Sequence, residues 1–152
     1  MYGREDKKEN DLFYLCALIE YIARKTKNRP TEIVHRLGHA NLEKIYELAD
    51  VYHSDNIDDV SGDFIAQCKI QTGDYDNVSN CMYSVPSHWD MGKVYKRLIL
   101  ALAKPRKREI IPTLEALFSS RFIDKIENYN SDLYYQNTAT LEDIYRTEYE
   151  QA

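Results

Sequence analysis

A chain of 152 residues with 43% hydrophobic content fits one domain that buries about 70% of its unfolded surface, with no need of a metal or disulfide staple. A net charge of −5 argues against a molecule built as a whole to neutralise phosphates. The longest clean apolar run, residues 98–103, is too short to span a bilayer, and Cys16, Cys68 and Cys81 show no metal-type or CxxC spacing, which predicts a reduced cytoplasmic protein without cofactor or membrane anchor.

Residues 1–9 are charged, lack the apolar centre of a signal peptide, and read as a flexible lead-in, leaving 10–152 as the domain. A first helix is expected from Asn10 or Asp11 to about Lys27. Leu12, Leu15, Cys16, Ile19, Ile22 and Ala23 repeat at three and four on its inner face, with Glu20, Arg24 and Lys25 outside. Pro30 suits the first turn of a second helix that Gly38 closes. Asn41 is placed to cap a third, running to about His53 with Leu42, Ile45, Ala49 and Tyr52 inward. Asp55 or Asn56 caps a fourth, with Ile57, Val60, Phe64, Ile65 and Cys68 inward and Asp58 and Asp59 in the favourable first turn. Periodicity fails over 71–88, where Gly73-Asp74, Asp76-Asn77, Ser79-Asn80 and Pro86 predict an irregular segment or a small hairpin.

The helix expected over 91–103 organises the rest. Asp90 is its predicted N-cap, and Met91, Val94, Tyr95, Leu98 and Leu102 share one face. Leu98 to Ala103 leaves no polar side, so this half is expected to be enclosed on every flank before Pro105 stops it. A further helix begins at Pro112 or slightly earlier, with Leu114, Leu117 and Phe118 inward and a break at Ser119-Ser120 before Phe122, Ile123 and Ile126. Asn128 to Asn137 reads as a loop, and Thr140-Leu141-Glu142-Asp143 predicts the start of a last helix reaching about Tyr149. The expected fold is an all-α single-domain bundle of six or seven helices around a central buried helix.

Candidate chemistry is sparse. His35 and His39 stand at metal-ligand spacing, but Gly38 between them breaks the helix that would align them. Ser87, His88 and Asp90 adjoin in sequence, whereas a triad is defined by geometry. No glycine-rich phosphate loop or calcium loop is present. Thr31 to Gly38 followed by a helix from Asn41 resembles a helix-turn-helix, yet the second helix carries Glu43, Glu47 and Asp50 against Lys44, a face that repels phosphate. Lys93, Lys96, Arg97, Lys104, Arg106, Lys107 and Arg108 concentrate positive charge, either to face acidic blocks elsewhere in the fold or to meet an acidic partner. Thirteen tyrosines are the compositional oddity; they line the rim of a core or an interface.

Two resemblances bear on function. Arg29 and His35 resemble the short Arg-to-His spacing of helical HEPN-type ribonucleases, which implies RNA cleavage at a dimer face; Pro30 stands where those proteins carry a polar residue. Phe13 to Tyr21, Glu32-Ile33-Val34 with Leu37, Ile45-Tyr46, Val51-Tyr52-His53, Ile57 to Val60 and Phe64-Ile65 resemble a family of short bacterial helical proteins, domain of unknown function 3791. That resemblance covers residues 12–65 and implies an accessory, antitoxin-like or immunity-like partner-binding role. The leading expectation is a non-catalytic bacterial interaction protein that binds another protein or a second copy of itself. Its candidate contact residues are Lys93, Lys96, Arg97, Arg106, Lys107, Arg108, Tyr129, Tyr134 and Tyr135. Nucleic-acid binding through 31–53 or 93–108 is the alternative, and a ribonuclease using Arg29 and His35 ranks third.

Overall fold

A computed structural model describes residues 4–150, with side chains from Lys7. Eight helices follow in order among the described residues: α1 Arg4–Thr26, α2 Pro30–Glu47, α3 Ala49–His53, α4 Ile57–Gln67, α5 His88–Ala103, α6 Ile110–Phe118, α7 Phe122–Ile126 and α8 Thr138–Glu148. Short 3-10 turns occupy Lys104–Arg106 and Leu133–Tyr135. The protein is an all-α single helical domain, and no described helix is long and apolar enough to cross a membrane.

The centre is a pair rather than one rod. α1 packs along α5, with α2, α3 and α4 on the outer side of α1 and α6 and α8 against α5. From Leu12 to Ala23, only Phe13 and Tyr21 escape full burial on α1. The two rods approach closely because Gly92 faces Ala17: a Cβ on Gly92 would stand 3.0–3.2 Å from Ala17 atoms. Small residues at a crossing bring two backbones together and let the flanking Tyr95, Leu98, Ile99 and Leu15 interdigitate.

Several sequence expectations need correction. α1 begins at Arg4, not Asn10, so residues 4–9 of the expected lead-in are helical; Met1–Gly3 lie outside the described residues. Glu20 was expected outside and is 1% exposed. Gly38 does break the second helix, adopting φ 78° and ψ 163°, a conformation that costs glycine little. Asn41 is not the following cap: its amide donates to Leu37 O and its carbonyl accepts from Gln67. A second interruption at Leu48 splits the expected 41–53 helix into the end of α2 and α3.

Asn56 caps α4 as expected, accepting from Asp58 N. Among the described residues 71–88 forms no strand, so the irregular reading holds and the hairpin does not. That segment is fastened to the end of α1 by Gly73 N donating to Thr26 O, Tyr75 N to Lys27 O, and the Asn28 amide to Gln71 O. Ser87, not Asp90, is the N-cap of α5; Asp90 closes a reciprocal capping box from the third position and is held below the usual carboxylate range by the Ser87 amide. The last helix is capped by Asn137 rather than from Thr140 and ends at Glu148.

The apolar stretch of α5 is only partly enclosed. Leu98, Ile99, Leu102 and Ala103 are buried, whereas Leu100 and Ala101 are partly buried, reaching solvent on one flank. The expectation of burial on every side is wrong for these two residues. The helix is packed by α1, α6 and α8, and Leu100 stays partly buried against the core.

Candidate functional site

The partly exposed strip of α5 forms the floor of a groove. Leu100, Ala101 and Ala103, joined by Ile110 of α6 and Tyr46 of α2, surround a space of about 360 Å³. Its rim carries Lys8, Lys104, Lys107 and Arg108 against Glu9. Lys8 is fixed there by its ammonium lying 4.7 Å over the Tyr46 ring. Helix α5 ends in a 3-10 turn at Lys104–Arg106, after which Lys107 takes φ 52° and the Arg108 amide donates to Ala103 O. That turn swings the basic connection alongside the groove.

Part of the basic stretch is neutralised internally. Arg106 and Arg108 reach Glu150 at 3.2 and 3.0 Å, and Arg146 joins them at 3.3 Å while donating to the carbonyls of Ala101 and Leu102. The acidic C-terminal block therefore folds back on the basic connection, as one of the two charge readings expects. Lys93, Arg97, Lys104 and Lys107 are exposed and Lys96 half-exposed, with no ion-pair partner among the described residues.

The three candidate tyrosines separate. Tyr135 is 67% exposed and stacks edge-on against Tyr134, beside exposed Met82 and Tyr83. Tyr129, expected at an interface, is 2% exposed, and its hydroxyl is committed inside the molecule. Four of the thirteen tyrosines, Tyr14, Tyr95, Tyr129 and Tyr145, are buried, and among the described residues only Tyr83 and Tyr135 are exposed.

Tyr129 belongs to a polar cluster that periodicity missed. Glu20 and Arg24 project from α1, Tyr95 from α5, Glu127 and Tyr129 follow α7, and Asn77 comes from the irregular segment. Arg24 Nε donates to Glu20 Oε2 at 3.0 Å, and Arg24 Nη2 donates to the Tyr129 hydroxyl at 2.9 Å. Tyr95 donates to Glu127 Oε2 at 2.6 Å, and Asn77 donates to Glu127 Oε1 and to its backbone carbonyl. The Tyr129 oxygen lies 2.9 Å from Glu20 Oε2 and 3.1 Å from Glu127 Oε1.

A tyrosine hydroxyl has one proton, so it donates to one of those carboxyls only. Glu20, whose Oε2 also accepts from Arg24, takes that proton bond. The contact with Glu127 is then attractive because Glu127 brings its own proton. Burial, followed by the neighbouring Glu20 charge, pushes Glu127 well above the ordinary carboxylate range, in agreement with this count. Glu20 Oε1 is left buried with no partner. Glu20, Arg24, Tyr75, Asn77 and Glu127 line a cavity of about 270 Å³, roofed by the segment 75–79.

Other sequence candidates are not assembled. Arg29 pairs with Asp124 at 3.4 Å and stacks 5.3 Å over Tyr75, while exposed His35 lines a separate hollow with Glu115 and Ser119. His39 bonds Glu115 at 2.7 Å, which raises its pKa, and no group of three metal-binding side chains occurs among the described residues. Ser87 and Asp90 are occupied with each other in the capping box, and His88 packs between Tyr21 and Trp89 with its pKa lowered by burial. In the helix-turn-helix-like segment Glu47 and Asp50 face solvent beside Lys44.

Within the sequence, the buried cluster left one trace: Glu20 falls amid Leu15, Ile19, Ile22 and Ala23, where an inward carboxylate breaks no periodicity that a helix with two packed sides would show. Compared with protein-family models, with curated proteins and with solved structures, the chain matches none of them.

Proposed function

We propose that this protein is a non-catalytic interaction module that receives an acidic amphipathic helix of a partner protein in the groove beside α5. One observation carries the reading: the apolar end of α5 leaves Leu100 and Ala101 partly exposed, framed by Lys8, Lys104 and Lys107, with Arg108 beside them already paired to Glu150. Apolar floor with cationic rim is the complement of a helix whose apolar anchors recur at three and four and whose flanks carry Glu or Asp. Exposed Tyr135 and partly buried Tyr134 lie outside this groove, and Arg106, paired with Glu150, is not among the residues around it.

The test uses synthetic helical peptides with leucine anchors and glutamate flanks, labelled for fluorescence anisotropy, beside lysine-flanked counterparts. The acidic peptide is expected to bind, with affinity falling as salt rises, and to lose binding in Leu100→Glu and Lys107→Glu. Equal affinity for both peptides, or indifference to Leu100→Glu, overturns the reading. Tight binding of single-stranded RNA or duplex DNA in place of the peptide would move the basic rim to nucleic-acid recognition.

A further inference from the structure

We infer that the aromatic hollow between residues 82–84 and 129–135 is a docking site for an arginine-bearing segment of a partner protein, its guanidinium stacked on tyrosine and paired with Asp132. The site is separate from the α5 groove and has the opposite charge preference. Five large hydrophobic side chains are exposed among the described residues. Three of them, Met82 (80%), Tyr83 and Tyr135 (67% each), line this one hollow of about 910 Å³. Large apolar side chains gathered at one place on a surface mark an interaction site, whereas scattered ones do not.

Two segments distant in sequence hold the hollow in shape. The Asn130 side-chain carbonyl accepts from Met82 N at 2.7 Å, and its amide donates to Asn80 O at 3.2 Å. Tyr134 stands edge-on to both Tyr129 and Tyr135, at 5.6 and 5.0 Å between ring centres. Asp132 opens the 3-10 turn Leu133–Tyr135, and side chains three apart in such a turn eclipse. Its carboxylate and the Tyr135 ring accordingly line the same hollow. Asp132 is exposed and forms no ion pair among the described residues.

Charge selects the occupant. Residues 70–92 and 126–145, the stretches that supply the walls, hold no Lys or Arg. They carry Asp74, Asp76, Asp90, Asp132, Glu142 and Asp143, besides Glu127, which keeps its proton. That field repels phosphate, so the rings are ill placed to stack nucleic-acid bases. It favours a cation, which the faces of tyrosine rings also attract. Arginine suits the site better than lysine, since a planar guanidinium stacks on a ring while its edge forks onto a carboxylate. The chain holds a template of this arrangement: Arg29 lies 5.3 Å over Tyr75 and reaches Asp124 at 3.4 Å. Tyr135 and Asp132 offer the same two partners to an arginine from outside.

The full chain would be titrated with a short glycine–serine peptide carrying two arginines, following backbone amide resonances. Counterparts replace the arginines by lysine, by the neutral isostere citrulline or by proline, and single-stranded RNA is titrated beside them. The arginine peptide is expected to shift resonances of 82–84 and 130–135 to saturation below about 1 mM, with affinity that falls as salt rises. Tyr135→Ala and Asp132→Asn are each expected to weaken it by about fivefold or more. Both variants are expected to melt like the parent, because both side chains are exposed. A lysine, citrulline or proline peptide that binds as tightly, tighter binding of RNA, shifts confined to other surfaces, or affinity untouched by Tyr135→Ala would each overturn the inference.

Discussion

Replacing Glu127 by glutamine removes the proton that the folded cluster holds, and it should alter how stability depends on pH. In the folded chain Glu127 is 1% exposed; burial first and the Glu20 charge second raise its proton affinity well above the ordinary value of 4.5. Above that value the unfolded chain releases a proton that the native state keeps. The native state then binds more protons, so stability falls as pH rises, and the loss continues until the folded group itself ionises. One proton contributes a slope of up to about 1.4 kcal/mol per pH unit. Glutamine has no such proton, and the slope should disappear.

The structural cost of the exchange is small. An amide NH₂ in the place of Oε1 donates to the Tyr129 hydroxyl as the protonated carboxyl does, and the remaining oxygen still accepts from Tyr95. Only the 3.2 Å bond from Asn77 becomes a donor facing a donor, while Asn77 keeps its 2.7 Å bond to the Glu127 carbonyl. That loss is about 1 kcal/mol. The assay is urea unfolding of both proteins between about pH 5 and pH 8. His39, raised by Glu115, and His88, lowered by burial, titrate in both proteins and cancel in the difference. The variant should start less stable at pH 5 and gain on the parent as pH rises. Parallel profiles would refute the proton count, since Glu127 would then be ionised in the native state.

Three further outcomes are expected. Leu98→Ala should cost about 2–5 kcal/mol and Leu100→Ala about 1 kcal/mol or less in urea melts, because one fills the core and the other lines an open groove; equal costs would mean the groove is closed in solution. Gly92→Ala should lower stability by about 1–3 kcal/mol, since the new methyl meets Ala17 backbone at 3.1–3.2 Å; an unchanged melting temperature would show that α1 and α5 separate freely. Lys69→Gly should raise stability by up to about 1 kcal/mol, because position 69 ends α4 at φ 53° with the Ile70 amide returning to Ile65 O. A destabilised Lys69→Gly would mean that the lysine side chain contributes more than its strained backbone costs.

Much of the architecture was written in local chemistry. Apolar residues at three and four placed α1, α4, α5 and α6; Pro30, Gly38, Asn56 and Ser119-Ser120 marked boundaries; and the turn formers of 71–88 forbade regular structure there. These features are legible because each depends on a few neighbouring residues. Errors of detail arose where two local solutions compete. Ser87 and Asp90 both suit an N-cap, and the capping box uses both; Asn137 and Thr140 pose the same choice at α8.

The chain by itself determined that helices form, roughly where they stop, and that 98–103 has no polar side. Only the tertiary structure decided which sides of those helices are covered. α1 is enclosed on more flanks than its stripe suggested, so Glu20 went inward, while α5 was left open at Leu100 and Ala101. The physical reason is that periodicity describes one helix at a time. A buried carboxyl cluster needs donors from α1, α5, the 71–87 segment and the turn after α7, and Tyr129 and Glu20 meet across 109 positions of sequence.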